Sequence, residues 1–154
     1  MKNTEIQRII TLFKETFEGP AWHGPAVKEV LKGISAEQSL RSFDDGHNIA
    51  ELVFHITAWR TFLINELKGL EKYDVSEEEN FIKIENINEQ EWQNLQEKLN
   101  KSQSELLALL NDQEDSILEQ RVGKRNYNFY VLMHGVIQHD LYHLGQIIML
   151  KKYS

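Results

Sequence analysis

The chain has 154 residues, 41% hydrophobic and 27% charged, which is typical of a globular protein forming one domain, residues 1–154, around a single core. It has no cysteine, which excludes disulfides, thiolate metal ligands and a cysteine nucleophile, and its net charge of −7 disfavours a nucleic-acid partner. No apolar run has transmembrane length and the amino terminus lacks the apolar core of a secretion signal, so we expect a cytoplasmic protein with no membrane partner.

The first third of the chain predicts one long helix and two short ones. Thr4 and Gln7 match a capping box that opens the long helix, and Gly19 with Pro20 ends it. A loop with the sequence WHGP at residues 22–25 follows. Short helical segments are predicted over residues 26–31 and from a second capping box at residue 35 to about residue 41.

A second long helix is predicted over residues 49–67, with Asn48 as its N-cap. Its apolar residues recur at spacings of three and four, which is typical of a helix with one face in the core. His55 falls among these core positions: Leu52, Ile56, Trp59, Phe62 and Leu63.

Residues 69–87 predict a long acidic connection that crosses from one end of the molecule to the other, and the three glutamates at 77–79 are expected to be solvated. A third long helix follows Asn88 and ends near Asn111. The next connection, residues 112–128, contains an alternating pattern compatible with a small hairpin. The last helix is predicted over residues 129–152 and is apolar enough to be largely buried.

Four long amphipathic helices predict an all-α protein with a four-helix bundle. The long link between the second and third of them permits a parallel crossover. Functional sites in such bundles are built from inward-facing side chains on facing helices.

Histidines on the core faces are the candidate site. His139 and His143 lie four residues apart, so they share one helical face about 40° apart. Together with His55 they could hold a divalent ion and leave coordination positions open, or they could be core histidines with satisfied hydrogen bonds. Gln146 and Asp140 are candidates to orient an imidazole, although Asp140 is about 100° off the ligand face.

The other histidines rank lower as ligands. His23 could line the mouth of a metal cleft or fix a Gly-Pro turn. His134 points about 140° away from His139, which favours packing or surface, and His47 flanks a helix cap, which favours a structural or solvated role.

Two segments resemble the DinB/YfiT-like superfamily: GHNIAELVFHITAW at residues 46–59 and HDLYHLGQ at residues 139–146. The resemblance implies a four-helix bundle with up-down-down-up connectivity and a divalent ion, nickel or zinc in many members, held by His55, His139 and His143. It also implies a homodimer. Some relatives are S-transferases that join low-molecular-weight thiols to small electrophiles, which suggests a thiol cosubstrate.

Three functions stay open. The first is a metal-dependent thiol transferase or related detoxifying enzyme in which the ion activates a thiol or water, with no catalytic residue assigned. The second is a non-catalytic protein that binds a metal or a small molecule. The third is a helical interaction module whose histidines hold no metal.

Overall fold

The computed structural model describes residues 4–70 and 75–153, and within these ranges the chain forms seven α-helices, one 3-10 helix and no β-strand. The predicted all-α class is therefore confirmed. The α-helices are α1 (Glu5–Glu18), α2 (Val27–Leu31), α3 (Ala36–Ser39), α4 (Ile49–Leu67), α5 (Glu77–Asn80), α6 (Glu89–Asn111) and α7 (Phe129–Tyr153), and the 3-10 helix is Asp115–Glu119. None of the helices in the described ranges combines the length and apolar character needed to cross a bilayer.

Capping boxes fix where the two central long helices begin. The Asn48 side chain accepts a hydrogen bond from the Glu51 N–H at the start of α4, and the Glu51 carboxylate accepts one from the Asn48 N–H. Asn88 and Glu91 repeat this arrangement at α6. Each box satisfies backbone N–H groups that have no partner within the helix, so the local sequence alone sets both starts.

The four longest helices pack on one another through two apolar clusters. Helices α1 and α4 each contact both α6 and α7. The first cluster combines the start of α1, the end of α4 and the start of α7, and it includes Ile9, Phe13, Leu63, Leu106 and Met133. The second joins the end of α1, the start of α4 and the end of α7, and it includes Phe17, Val53, Trp92, Leu99 and Ile147.

A layer of buried polar side chains lies between the two apolar clusters. The Arg60 guanidinium donates from Nε to Oδ2 of Asp140 at 2.9 Å, and its Nη2 lies 2.8 Å from the same oxygen. Arg60 also donates to Gln103 at 2.8 Å, and its guanidinium lies 4.6 Å from the centre of the Phe17 ring. Arg60 and Asp140 are both 0% exposed. The core is therefore held at its middle by an ion pair that is fully withdrawn from water.

Both long connections differ from the prediction. The acidic connection 69–87 contains the short helix α5, which Ser76 caps, and its residues 71–74 lie outside the described part. The predicted hairpin is reduced to the 3-10 helix and one isolated antiparallel bridge between Arg121 and Asn128.

Candidate metal centre

The structure brings together the three histidines selected from the sequence. Helix α4 supplies His55, and α7 supplies His139 and His143. The Nε2 atom of His139 lies 2.8 Å from Nε2 of His55 and 3.1 Å from Nε2 of His143. One ring nitrogen from each residue falls in a group whose members are all within 4.8 Å of one another. Ligation of a metal by these residues is still a prediction.

Hydrogen bonds at the outer ring nitrogens set the tautomers of two of the histidines. Nδ1 of His55 lies 2.7 Å from the backbone oxygen of Asn80, and Nδ1 of His143 lies 2.5 Å from Oε1 of Gln146. Because these oxygens can only accept, both Nδ1 atoms carry the hydrogen. The Nε2 atoms of His55 and His143 therefore present lone pairs to the centre of the cluster.

The donor set fits a divalent metal ion. A neutral His139 carries one N–H hydrogen, so it can donate to only one of the two Nε2 atoms that face it, those of His55 and His143. Its buried Nδ1 has no protein partner among the described residues. Ligands about 2.1 Å from one ion lie about 3.0–3.4 Å apart at octahedral or tetrahedral angles, close to the two Nε2 separations. Three imidazoles are fewer than the four ligands of a closed structural zinc site.

Burial keeps the three imidazoles neutral near pH 7. Removal from water lowers the pKa of His55 to about 4 and the pKa of His139 to about 3, and the nearby imidazoles add to both effects. Burial also lowers the pKa of His143, against the hydrogen bond to Gln146, which acts to raise it. A metal ion would therefore compete with few protons for these nitrogens.

The last residue of α5 and the segment that follows it form one wall of the site, which the sequence did not predict. The backbone oxygen of Asn80 accepts from His55, and its side-chain oxygen accepts from Nε1 of Trp59 at 2.9 Å. Phe81 is stacked between His55 and His47, with its ring centre 3.8 Å from each imidazole. The Ser76 capping box was a usable signal for the helix that precedes them, but nothing local shows that it folds back onto α4.

A buried carboxylate fastens this wall to the start of α4. The Glu51 side chain is 0% exposed and accepts from the backbone N–H of Ile84 at 2.8 Å and from Nδ1 of His47 at 3.0 Å. Burial acts to raise the pKa of Glu51, but these hydrogen bonds, the one from the Asn48 N–H and the nearby Lys83 together hold that pKa below its ordinary value. Glu51 therefore stays ionised and tethers the segment over His55.

The other site candidates predicted from the sequence lie in different surroundings. Gln146 orients His143, as predicted. Asp140 instead pairs with Arg60, and in the described part of the chain it makes no hydrogen bond to a ligand imidazole. His134 packs against Tyr130. His23 is exposed in the loop between α1 and α2.

A cavity of about 580 Å³ lies beside His143: its wall includes Tyr142, which precedes that histidine, and Gln146, which hydrogen-bonds it, but not the three histidines themselves. Gln146, which holds that histidine, and His47, which stacks on Phe81, both line it. Apolar side chains make up much of the remaining wall: Phe43, Leu52, Tyr142, Met149 and Leu150.

Comparison with known proteins agrees with the geometry. The family model of the DinB superfamily matches residues 22–147, a range that contains all three histidines of the cluster. No curated protein and no solved structure matches the chain. A match over this much of the sequence shows the family: the chain belongs to the DinB superfamily.

Proposed function

We propose that this chain binds a divalent metal ion, nickel or zinc, through His55, His139 and His143, and that it is a metal-dependent S-transferase for a low-molecular-weight thiol or a related detoxifying enzyme. The observation that carries the proposal is the convergence of three Nε2 atoms, two of them with lone pairs fixed toward the centre. Imidazole nitrogen suits both metals. A divalent ion held there would lower the pKa of a coordinated thiol or water and would so supply a nucleophile near pH 7.

The chain's own residues prepare this site for such a reaction. Asn80 and Gln146 hold two imidazoles in the ligating tautomer, so the ligands need no rearrangement when the ion binds. Phe81 covers one face of His55, and the Trp59 ring lies edge-on to His139 with the ring centres 6.1 Å apart. The cavity beside His143 offers room for a small-molecule substrate.

A second candidate is a non-catalytic protein that binds a metal or a small molecule. The low exposure of His55 (5%) and His143 (7%) favours it, because a buried centre restricts the approach of a second substrate. The transferase and the binding protein would use the same metal ligands, and only the transferase would turn over a substrate.

We further propose that the four longest helices form a bundle with up-down-down-up connectivity, within a single domain of residues 1–154. Contacts support this arrangement. Arg60 of α4 contacts Gln103 of α6, and Lys68, the C-cap of α4, contacts Glu105, so residue numbers rise together along the two helices as in a parallel crossover. Pairs between α4 and α7 run in the opposite order: His55 with His143, and Arg60 with Asp140.

We also propose a homodimer, as in the resemblance above. Two exposed apolar side chains on α7 that do not line the cavity could contribute to an interface: Val131 and Tyr153. Sedimentation velocity at two protein concentrations measures the oligomeric state directly.

Metal content of matched variants tests the ligand assignment. We expect His139→Ala and His143→Ala to lose the metal that the purified wild-type chain carries, while their circular dichroism stays helical. His134→Ala, on the same helix but packed on Tyr130, should keep the metal. Full metal occupancy in both ligand variants would contradict the assignment.

Activity is then measured with the metal-loaded wild-type chain. Cellular thiols and small electrophiles are combined, and consumption of the free thiol is followed. Turnover that disappears in His139→Ala supports the transferase. Metal binding without turnover of any pair supports the binding protein instead.

A further inference from the structure

The cavity beside His143 has the dimensions of a small-molecule site. Its volume of about 580 Å³ is within the range of ligand pockets, about 300–1,000 Å³. It is formed by the loop before α4, the first turns of α4 and the second half of α7. Tyr142 and Met149 on its rim are 68% and 50% exposed, so an apolar ligand would cover surface that now faces water.

Two polar side chains on the cavity wall have complementary hydrogen-bonding capacity. Nδ1 of His47 lies 3.0 Å from the buried carboxylate of Glu51, so Nδ1 carries a hydrogen, and in the neutral imidazole Nε2 is then the acceptor. No described residue makes a hydrogen bond to that Nε2. Oε1 of Gln146 is used by His143, which leaves the Gln146 NH₂ group as a donor without a protein partner in the described residues.

Both polar groups are held in place, unlike ordinary surface side chains. His47 is fixed by Glu51 on its edge and by Phe81 on its face. Gln146 is fixed by its bond to a buried histidine. A ligand would therefore lose little affinity in ordering its partners.

We propose that this cavity binds a small molecule with an apolar body of one or two rings and one polar end that both donates and accepts a hydrogen bond, such as a hydroxyl or a primary carboxamide. The donor of that end bonds Nε2 of His47, and its acceptor receives the Gln146 NH₂ group. The inference rests on the part of the proposed function that gives this cavity to a small molecule and names the class of that ligand, but it does not depend on a bound metal.

The test titrates three probes into the ¹⁵N-labelled full chain as purified: 2-naphthamide, 2-naphthalenemethanol and 2-methylnaphthalene, which lacks the polar end. We expect chemical shift changes at Leu52, Gly145 and the Gln146 side-chain amide. His47→Phe preserves an aromatic ring against Phe81 and removes the acceptor. It should bind the two polar probes about tenfold more weakly than wild type and 2-methylnaphthalene equally well.

Two further variants make the result decisive. His23→Phe replaces an exposed histidine of another loop and should bind all probes like the wild type. Gln146→Met removes the donor half and should weaken the polar probes alone, so it replaces His47→Phe if that variant fails to fold. Shift changes confined to another surface, or equal affinity of the polar probes for wild type and both cavity variants, would overturn the proposal. The chemical shift changes can be measured with or without bound metal. A negative titration would therefore contradict the ligand proposal without affecting the assignment of the metal ligands.

Discussion

Removing Asp140 alone should destabilise the fold more than removing Asp140 and Arg60 together. Both side chains are 0% exposed, and the guanidinium directs two of its nitrogens at one carboxylate oxygen. Asp140→Leu leaves a guanidinium that cannot lose its proton in the core, with Gln103 as its remaining hydrogen-bond acceptor. An unpaired buried charge of this kind costs about 3–5 kcal/mol.

The reverse substitution should be milder. Arg60→Met leaves a buried carboxyl, and burial already raises the pKa of Asp140, so this side chain can become neutral by taking a proton. The double variant removes both charges and leaves one oxygen of Gln103 without its donor, which costs about 1–3 kcal/mol. The coupling between the two sites should therefore amount to several kcal/mol.

Urea unfolding of the wild type, the two single variants and the double variant measures this coupling. Glu105→Leu is a matched control, because the Lys68–Glu105 pair also links two helices, the C-cap of α4 and α6, but its side chains are 40% and 46% exposed. This substitution should cost less than about 1 kcal/mol. Stability changes that add to within about 0.5 kcal/mol would refute the reasoning.

Two other predictions concern the site and its wall. The free energy of unfolding of the metal-free chain should fall as pH drops from about 6.5 to about 4. In that window the unfolded chain binds a proton at His55 and the folded chain does not, because the folded chain lowers the pKa of His55 to about 4. This residue alone should reduce the free energy of unfolding by roughly 3 kcal/mol. The free energy of unfolding is measured at pH 7 and at pH 5 with a chelator present, and it should depend less on pH in His55→Phe than in the wild type. A wild-type value that does not change with pH would contradict the prediction. Glu51→Ala should lower the free energy of unfolding by about 2 kcal/mol and speed amide hydrogen exchange at Ile84, because it leaves the buried N–H groups of Ile84 and Asn48 without an acceptor. Glu91→Ala in the exposed capping box of α6 should cost less, and unchanged exchange at Ile84 argues against the tether.

The helices and the histidine pair could be predicted because their causes are local. Asn48 and Asn88 satisfy N–H groups three residues away, so the sequence alone places the starts of α4 and α6. His139 and His143 share a face because the rise and turn of any α-helix require it. The bond between Gln146 and His143 follows from the same spacing.

The rest of the site depends on tertiary contacts that no local pattern encodes. His55 could be assigned to a core face, but only the packing of α4 on α7 brings its ring to His139. Arg60 falls on the same helix with no sequence signal that its partner is Asp140, which lies 80 residues away. The acidic run before Asn80 indicates a solvated connection, and the pattern does not predict that its end would close over an imidazole.

Glu51 links these features, since one carboxylate serves the helix, the wall and the cavity. It caps α4 through the Asn48 N–H, holds the segment after α5 through Ile84, and fixes the tautomer of His47. That segment directly follows Asn80, the last residue of α5, whose oxygen sets the tautomer of His55 from 25 residues away. Outer partners of this kind are worth about 10–100-fold in metal affinity. The properties of the candidate centre are therefore set as much by the connection between α4 and α6 as by the three histidines themselves.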